Sequence, residues 1–170
     1  METAYIGAGS NIEPEKNLLE ALRALVPEGL KRVSAVYRTE PVGAPGQPLF
    51  YNCVAEIVTS RPPLELKYSV LRPIEEALGR RRDRENRYSP RQIDLDLILY
   101  GSLEISSEGL VLPDPDIHTR PFLAIPLFEL APGLVLPGKV GLKELAASLD
   151  AKGMEELAAY TARIRKELFG

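Results

Sequence analysis

The sequence predicts an α+β fold with the ferredoxin-like βαββαβ order, an antiparallel sheet with helices on one face, followed by a C-terminal helical extension. Three observations predict it. Apolar residues alternate with a period of two in segments 31–38, 50–59 and 93–99, and a short apolar run fills 3–8. Segments 14–26 and 62–78 carry apolar residues at helical spacing. The segments follow one another as strand, helix, strand, strand, helix, strand. A sheet of this kind leaves its second face free for ligands.

Residues 3–8 form the first strand. Gly7 and Gly9 suggest a dinucleotide fingerprint, but Ile12 stands where a third glycine belongs and no alternating βαβ series follows, so Gly9, Ser10 and Asn11 are expected to make a turn and cap. The first helix puts Leu18, Leu22 and Leu25 on one face, starts near Pro14 and ends at Pro27 and Gly29. Strand 31–38 alternates Val33, Ala35 and Tyr37 against Arg32, Ser34 and Arg38, and a proline- and glycine-rich loop, 39–49, links it to strand 50–59 as a wide hairpin. Phe50 and Asn52 share a strand face there. An aromatic ring beside an amide suits a planar, hydrogen-bonding heterocycle; equally, Asn52 satisfies loop backbone. The second helix carries Leu64, Tyr68, Leu71 and Leu78, with Gly79 as its C-cap. Pro73 lies inside it, and an interior proline costs about 3 kcal/mol, so a kink or break is expected near Arg72. Short strands and turns run from Gly101 to Leu112, a polar segment 113–121 holds the only histidine, His118, and 122–130 reads as a short buried helix. Helices are expected at 141–149 and 154–168, the last with Glu155 and Glu156 at its start and Arg163, Arg165 and Lys166 near its end, as the helix dipole favours.

The chemistry concentrates at strand 93–99. Ile93, Leu95, Leu97 and Leu99 are expected on its core face, which turns Asp94 and Asp96 together to the other side, about 6–7 Å apart. Aspartate is depleted in strands, and two like charges so close repel each other. A divalent cation relieves that repulsion, since hard cations take carboxylate oxygens; a solvated strand face is the alternative. Directly upstream, residues 80–91 hold six arginines and two acids. That segment carries +4 in a chain of net charge −3. A basic loop beside paired carboxylates points to an anionic ligand arriving with its metal, and magnesium with a nucleotide polyphosphate fits best. Arg81, Asp83, Arg84 and Glu85 also read as an ordinary solvated charge run.

At 170 residues the chain is expected to be one domain. Its longest apolar run falls far short of the ~20 residues that span a bilayer, and its N-terminus lacks the basic and apolar regions of a signal peptide. A single cysteine, Cys53, excludes an internal disulfide and a cysteine-based zinc site. These points favour the cytoplasm.

Four motifs carry a resemblance: residues 5–11 (YIGAGSN), 37–43 (YRTEPVG), 50–52 (FYN) and above all 90–96 (PRQIDLD). Together, in this order and spacing, they resemble 6-hydroxymethyl-7,8-dihydropterin pyrophosphokinases of folate biosynthesis, over roughly residues 3–140. The resemblance implies transfer of the terminal diphosphate of ATP, the co-substrate, to the pterin hydroxymethyl oxygen, with release of AMP. It implies that Asp94 and Asp96 bind two Mg²⁺ ions, and that Arg80 and Arg91 hold the phosphates and act in catalysis with the two aspartates. Arg82, Tyr88, His118 and Arg120 match further ATP-side positions, and Thr39, Val42, Phe50, Asn52 and Phe122 match pterin-pocket positions. Phe50 and Phe122 would sandwich the ring while Asn52 reads its polar edge.

The chain departs from the family at Asp114, where a histidine that touches ATP is usual, and again nearby at Asp116. Two acids beside a triphosphate repel it unless they face away or meet a metal; His118 partly compensates. The expected unit is a single domain, 1–170, with a core of about 3–140 and a helical extension at 141–170. The expected partners are the two small substrates, with no nucleic acid and no membrane, and the chain is expected to act as a monomer. Two competing readings remain at this point. One is a ferredoxin-like RNA-binding module, against which stand the acidic charge and the lack of an RNP signature. The other is a different Mg²⁺-dependent nucleotidyl or glycosyl transferase.

Overall fold

A computed structural model describes residues 1–43, 46–80 and 90–170. The elements are β1 Glu2–Ser10, α1 Pro14–Leu25, β2 Leu30–Val33, β3 Tyr37–Thr39, β4 Phe50–Thr59, α2 Pro63–Glu65, a π-helical stretch Leu66–Leu71, α3 Arg72–Ala77 and β5 Asp94–Tyr100. There follow β6 Ile105–Ser106, β7 Val111–Leu112, a 3₁₀ turn Pro115–His118, α4 Pro121–Leu130, β8 Val135–Leu136, β9 Val140–Gly141, α5 Leu142–Ser148, β10 Glu155–Glu156 and α6 Ala158–Phe169. The fold is mixed α+β. Its main sheet runs β10-β3-β4-β1-β5, with β2 also on β4, and every pairing is antiparallel.

Helices cover both faces of this sheet, not one as the sequence led us to expect. On the first face Ala4, Ile6, Ala8, Cys53, Ala55 and Ile57 pack with Leu18, Leu22 and Leu25 of α1, with Leu66 and Leu71, and with Tyr160 and Ile164 of α6. On the second, Tyr5, Val54 and Ile98 pack with Ala124, Leu127 and Leu130 of α4 and with Leu142 and Ala146 of α5. The reason is legible in β1: residues 4–10 are all buried, and a strand covered on both sides reads as a continuous apolar run. The end of the second face near Gly7, Gly9 and Asn52 opens into a cavity.

Four further expectations change. The strand expected at 31–38 is two strands, parted at residues 34–36. There the backbone turns to side chains: the Ala35 N–H donates to the Glu129 carboxylate at 3.0 and 3.2 Å, the Val36 N–H to Thr161 Oγ1 at 2.9 Å, and the Val54 N–H to Ser34 Oγ at 2.8 Å. Leu99 joins the second core rather than that of Leu95 and Leu97, because the β1–β5 register slips at Tyr5/Ile6 and a bulge reverses the side-chain alternation. Asn11 caps no helix; it ties two loops, as described below. The C-terminal segment is no plain helical extension either. β10 adds a strand beside β3, and α6 begins only at Ala158, its Tyr160 and Ile164 sealing the first core. The break expected near Arg72 is present in another form: the π-helical stretch ends as Pro73 enters, and the Arg72 N–H reaches back to the Lys67 carbonyl.

Candidate active site

The site is built on the stretch of β1 from Gly7 to Gly9, with β4 on one side and β5 on the other. Both glycines are there for close approach. A Cβ on Gly9 would stand 2.6 Å from Asn52 Oδ1, and one on Gly7 would stand 3.0 Å from Leu123 Cδ2. Without side chains at these two positions, Asn52 lies flat against the sheet and a cavity of about 210 Å³ opens above it.

Gly7, Gly9, Thr39, Val42, Phe50, Asn52 and Phe122 form the apolar and amide part of this cavity; Glu40, Arg91, Asp94, Asp96, Asp114, Asp116 and Arg120 form its charged part. Asn52 is nearly buried, and its Nδ2 donates to Thr39 Oγ1 at 2.7 Å, which fixes the amide plane. That bond runs within the β3–β4 hairpin, since Thr39 pairs with Phe50 and Tyr37 with Asn52. The guanidinium of Arg91 stands 6.0 Å from the centre of the Phe50 ring, so the aromatic wall and the charged wall meet at one residue.

Asp94 and Asp96 sit opposite Gly9 and Gly7 on β5, on the same face. Asp94 is clasped by two arginines: Arg80 Nη1 donates to Oδ1 at 3.1 Å and Arg91 Nη1 to Oδ2 at 2.9 Å. Asp96 meets water through the cleft but has protein on nearly every side. Burial, then the neighbouring Asp94, Glu75 and Asp114 carboxylates, holds its carboxyl well above the usual carboxylate range. Among the described residues no cluster of three or more histidine, cysteine or acidic side chains stands ready for a metal. Asp94 and Asp96 are the two carboxylates that could hold an ion here.

A second cavity, about 380 Å³, adjoins the first and shares Asp96, Asp114 and Asp116 with it; its far wall is Lys67, Arg72, Leu95, Leu97 and residues 107–111. Asp114 Oδ1 accepts the Asp116 N–H at 2.9 Å and starts the 3₁₀ turn. Burial pushes its carboxyl up, while that N–H and Arg120 pull the other way.

The structure thus brings together Thr39, Val42, Phe50, Asn52, Arg91, Asp94, Asp96, Arg120 and Phe122 in one cavity, with Arg80 behind it against Asp94. His118 is exposed at the end of the 3₁₀ turn and lines neither cavity, so the basic compensation expected of it does not reach the site. Arg82 and Tyr88 lie outside the described residues. Lys67, Arg72 and Leu123 escaped the sequence reading, since they stand on helices whose spacing signalled only a core.

The family model of 7,8-dihydro-6-hydroxymethylpterin-pyrophosphokinase matches residues 5–132. A 2-amino-4-hydroxy-6-hydroxymethyldihydropteridine pyrophosphokinase of Haemophilus influenzae is 42% identical over 149 residues, covering 85% of this chain and 91% of its own. One of the same name from Methylorubrum extorquens is 40% identical over 161 residues, 92% of this chain and 99% of its own. The chain belongs to this family. Among solved structures, the wild-type HPPK-DHPS of Plasmodium falciparum with pteroate superposes with a TM-score of 0.66 at 13% identity, over 98% of this chain and 43% of that one. This chain spans less than half of that protein, and the likeness is one of fold. Family membership sets aside the RNA-binding module and the other nucleotidyl or glycosyl transferases.

Proposed function

We propose that the two adjoining cavities divide the two substrates of a pyrophosphokinase between them, the pterin in the first and ATP in the second, with the polyphosphate crossing the shared wall at Asp96, beside Asp94. The reaction follows from the family: ATP-dependent transfer of diphosphate to the hydroxymethyl group of 6-hydroxymethyl-7,8-dihydropterin, a step of folate biosynthesis that leaves AMP. The observation that carries the division of the site is the sharing of Asp96, Asp114 and Asp116 by a cavity walled with Phe50, Asn52 and Phe122 and a cavity reaching Lys67 and Arg72.

In this reading Phe50 and Phe122 hold the flat ring, Thr39 sets the Asn52 amide, and Asn52 with the backbone near Val42 reads the ring's polar edge. Asp94 and Asp96 fit magnesium: two hard, same-face oxygens leave room for water and phosphate in the shell. Asp94 and Asp96 would hold Mg²⁺, expected as two ions, which would supply charge neutralisation at the phosphoryl groups and a lowered pKa at the attacking hydroxyl. Arg80 and Arg91, which clasp Asp94, would also hold phosphate oxygens, as their fork geometry suits both partners. Arg120 adds a further cation, and Arg82 and Tyr88 belong to the nucleotide side of the proposal. No side chain is assigned as general base.

The strand order supports a ferredoxin-like reading of the core. Residues 1–170 are read as one domain, working as a cytoplasmic monomer on two small molecules, and light scattering on the purified chain tests the monomer. No helix among the described residues is long and apolar enough to cross a membrane. The test of the function is incubation with Mg-ATP and hydroxymethyldihydropterin, scoring AMP against ADP. AMP in step with pterin consumption is the expected result; ADP would show single-phosphoryl transfer and overturn the reading.

A further inference from the structure

β5 is an edge strand among the described residues: β1 pairs with one side of it, and no described strand lies on the other. An edge strand leaves N–H groups without ladder partners. At Leu95, between the two aspartates, that vacancy is filled by a helix. The carboxylate of Glu75, on α3, accepts the Leu95 N–H at 2.9 Å. Glu75 is only 2% exposed. Its own carbonyl accepts the Arg80 N–H at 3.0 Å, and Arg80 in turn holds Asp94 and the Ile93 carbonyl, each at 3.1 Å. One helical residue thus fastens both the strand that presents the aspartates and the arginine that clasps one of them.

A neutral amide would serve Leu95 as well. What the carboxylate adds is negative charge in the interior, behind two aspartates that already repel each other. That charge makes the potential in front of the aspartates more negative, and so favours a cation there.

We propose that Glu75 is a positioning residue for the divalent cation, fixing the Asp94–Leu95–Asp96 strand through Leu95 and strengthening cation binding through its charge. The proposal rests on the reading of Asp94 and Asp96 as cation ligands. Glu75 touches neither substrate nor ion; it acts through the strand and the field.

The test is Mn²⁺ binding, followed by electron paramagnetic resonance in the presence of α,β-methylene-ATP, together with hydrogen exchange of the Leu95 amide. Glu75→Gln is expected to bind Mn²⁺ at least about tenfold more weakly, the scale of one charge removed near a divalent ion under water-like screening, while Leu95 stays protected. Glu75→Asp, which keeps the charge but not the reach, should hold Mn²⁺ within about threefold of the wild type while Leu95 exchanges faster. Mn²⁺ binding that depends on Asp96 but not on the charge at position 75 overturns the proposal alone. Binding indifferent to Asp96→Asn overturns the metal reading and this proposal with it.

Discussion

Asp94 and Asp96 differ in surroundings although they share a face. Asp94 is neutralised by Arg80 and Arg91, whereas Asp96 faces other carboxylates. Replacing either by alanine is expected to cut AMP formation by at least about a thousandfold, the scale on which a catalytic metal's charge stabilisation is lost. The thermal transition should move little, since neither is part of a core. Circular dichroism alongside the AMP assay checks both halves, and near-normal turnover in either variant would contradict the metal assignment. Asn11 gives a second prediction of this scale. Its Oδ1 accepts the Arg91 N–H at 2.8 Å, and its Nδ2 donates to the Pro48 carbonyl at 3.3 Å, so one buried amide joins Arg91 to the loop beside the aromatic pocket. Asn11→Asp keeps the acceptor and loses the donor. It is expected to raise the pterin KM about tenfold with kcat within about threefold, and Asn11→Ala to lower kcat as well; steady-state kinetics separates the two.

Elements show why some of this was legible and some was not. Asp94 and Asp96 were legible because strand alternation is a local rule and a pair of acids in an apolar strand stands out. The aromatic wall was legible for the same reason, through Phe50 and Asn52 on one face of β4. The bulge that moves Leu99 to the other core was not, because it depends on how β1 pairs. The parting of β2 from β3 was hidden too: its backbone groups are satisfied by Glu129 on α4 and Thr161 on α6, far away in sequence. Nor does the segment 154–157 signal a strand, two glutamates being poor strand formers; β10 exists because β3 offers an edge, and Arg38 pairs with Glu155 across it. Thr161 tests this level. Thr161→Val keeps the shape but leaves the buried Val36 N–H without its acceptor, an expected loss of about 1–3 kcal/mol. Thr161→Ser should cost less than half as much. Denaturant unfolding of the two variants measures the difference, and equal costs would mean that packing, not the hydrogen bond, makes the contribution.

Across the whole molecule, the layers on opposite faces of the sheet meet through this same gap. Arg165 of α6 donates to the Val33 carbonyl at 2.8 Å and to Glu129 of α4 at 3.1 Å, joining the first layer to the second past the ends of β2 and β3. Beside it, Arg32 Nε donates to Glu56 Oε1 at 3.0 Å and its Nη2 to the Leu130 carbonyl at 2.6 Å, while the Tyr5 hydroxyl donates to Glu56 Oε2 at 3.0 Å. The second layer is therefore pinned to the sheet through one mostly buried carboxylate. The Arg32 bond, against the opposing effect of burial and with help from Tyr5, holds the Glu56 carboxyl below its ordinary value of 4.5; Tyr5, buried and bonded to Glu56, is pushed up to about 12. A carboxyl whose folded value is depressed contributes stability that is complete above its unfolded value and is lost as pH falls through the folded one. Acid should thus weaken the wild type from about pH 4.5 downwards, partly by protonating Glu56. Glu56→Gln is expected to cost about 1–2 kcal/mol near pH 7, kept modest because Arg32 is half exposed, and progressively less towards pH 3, so that the two unfolding curves converge. Stability curves that stay parallel between pH 7 and pH 3 would show that Glu56 does not titrate with folding.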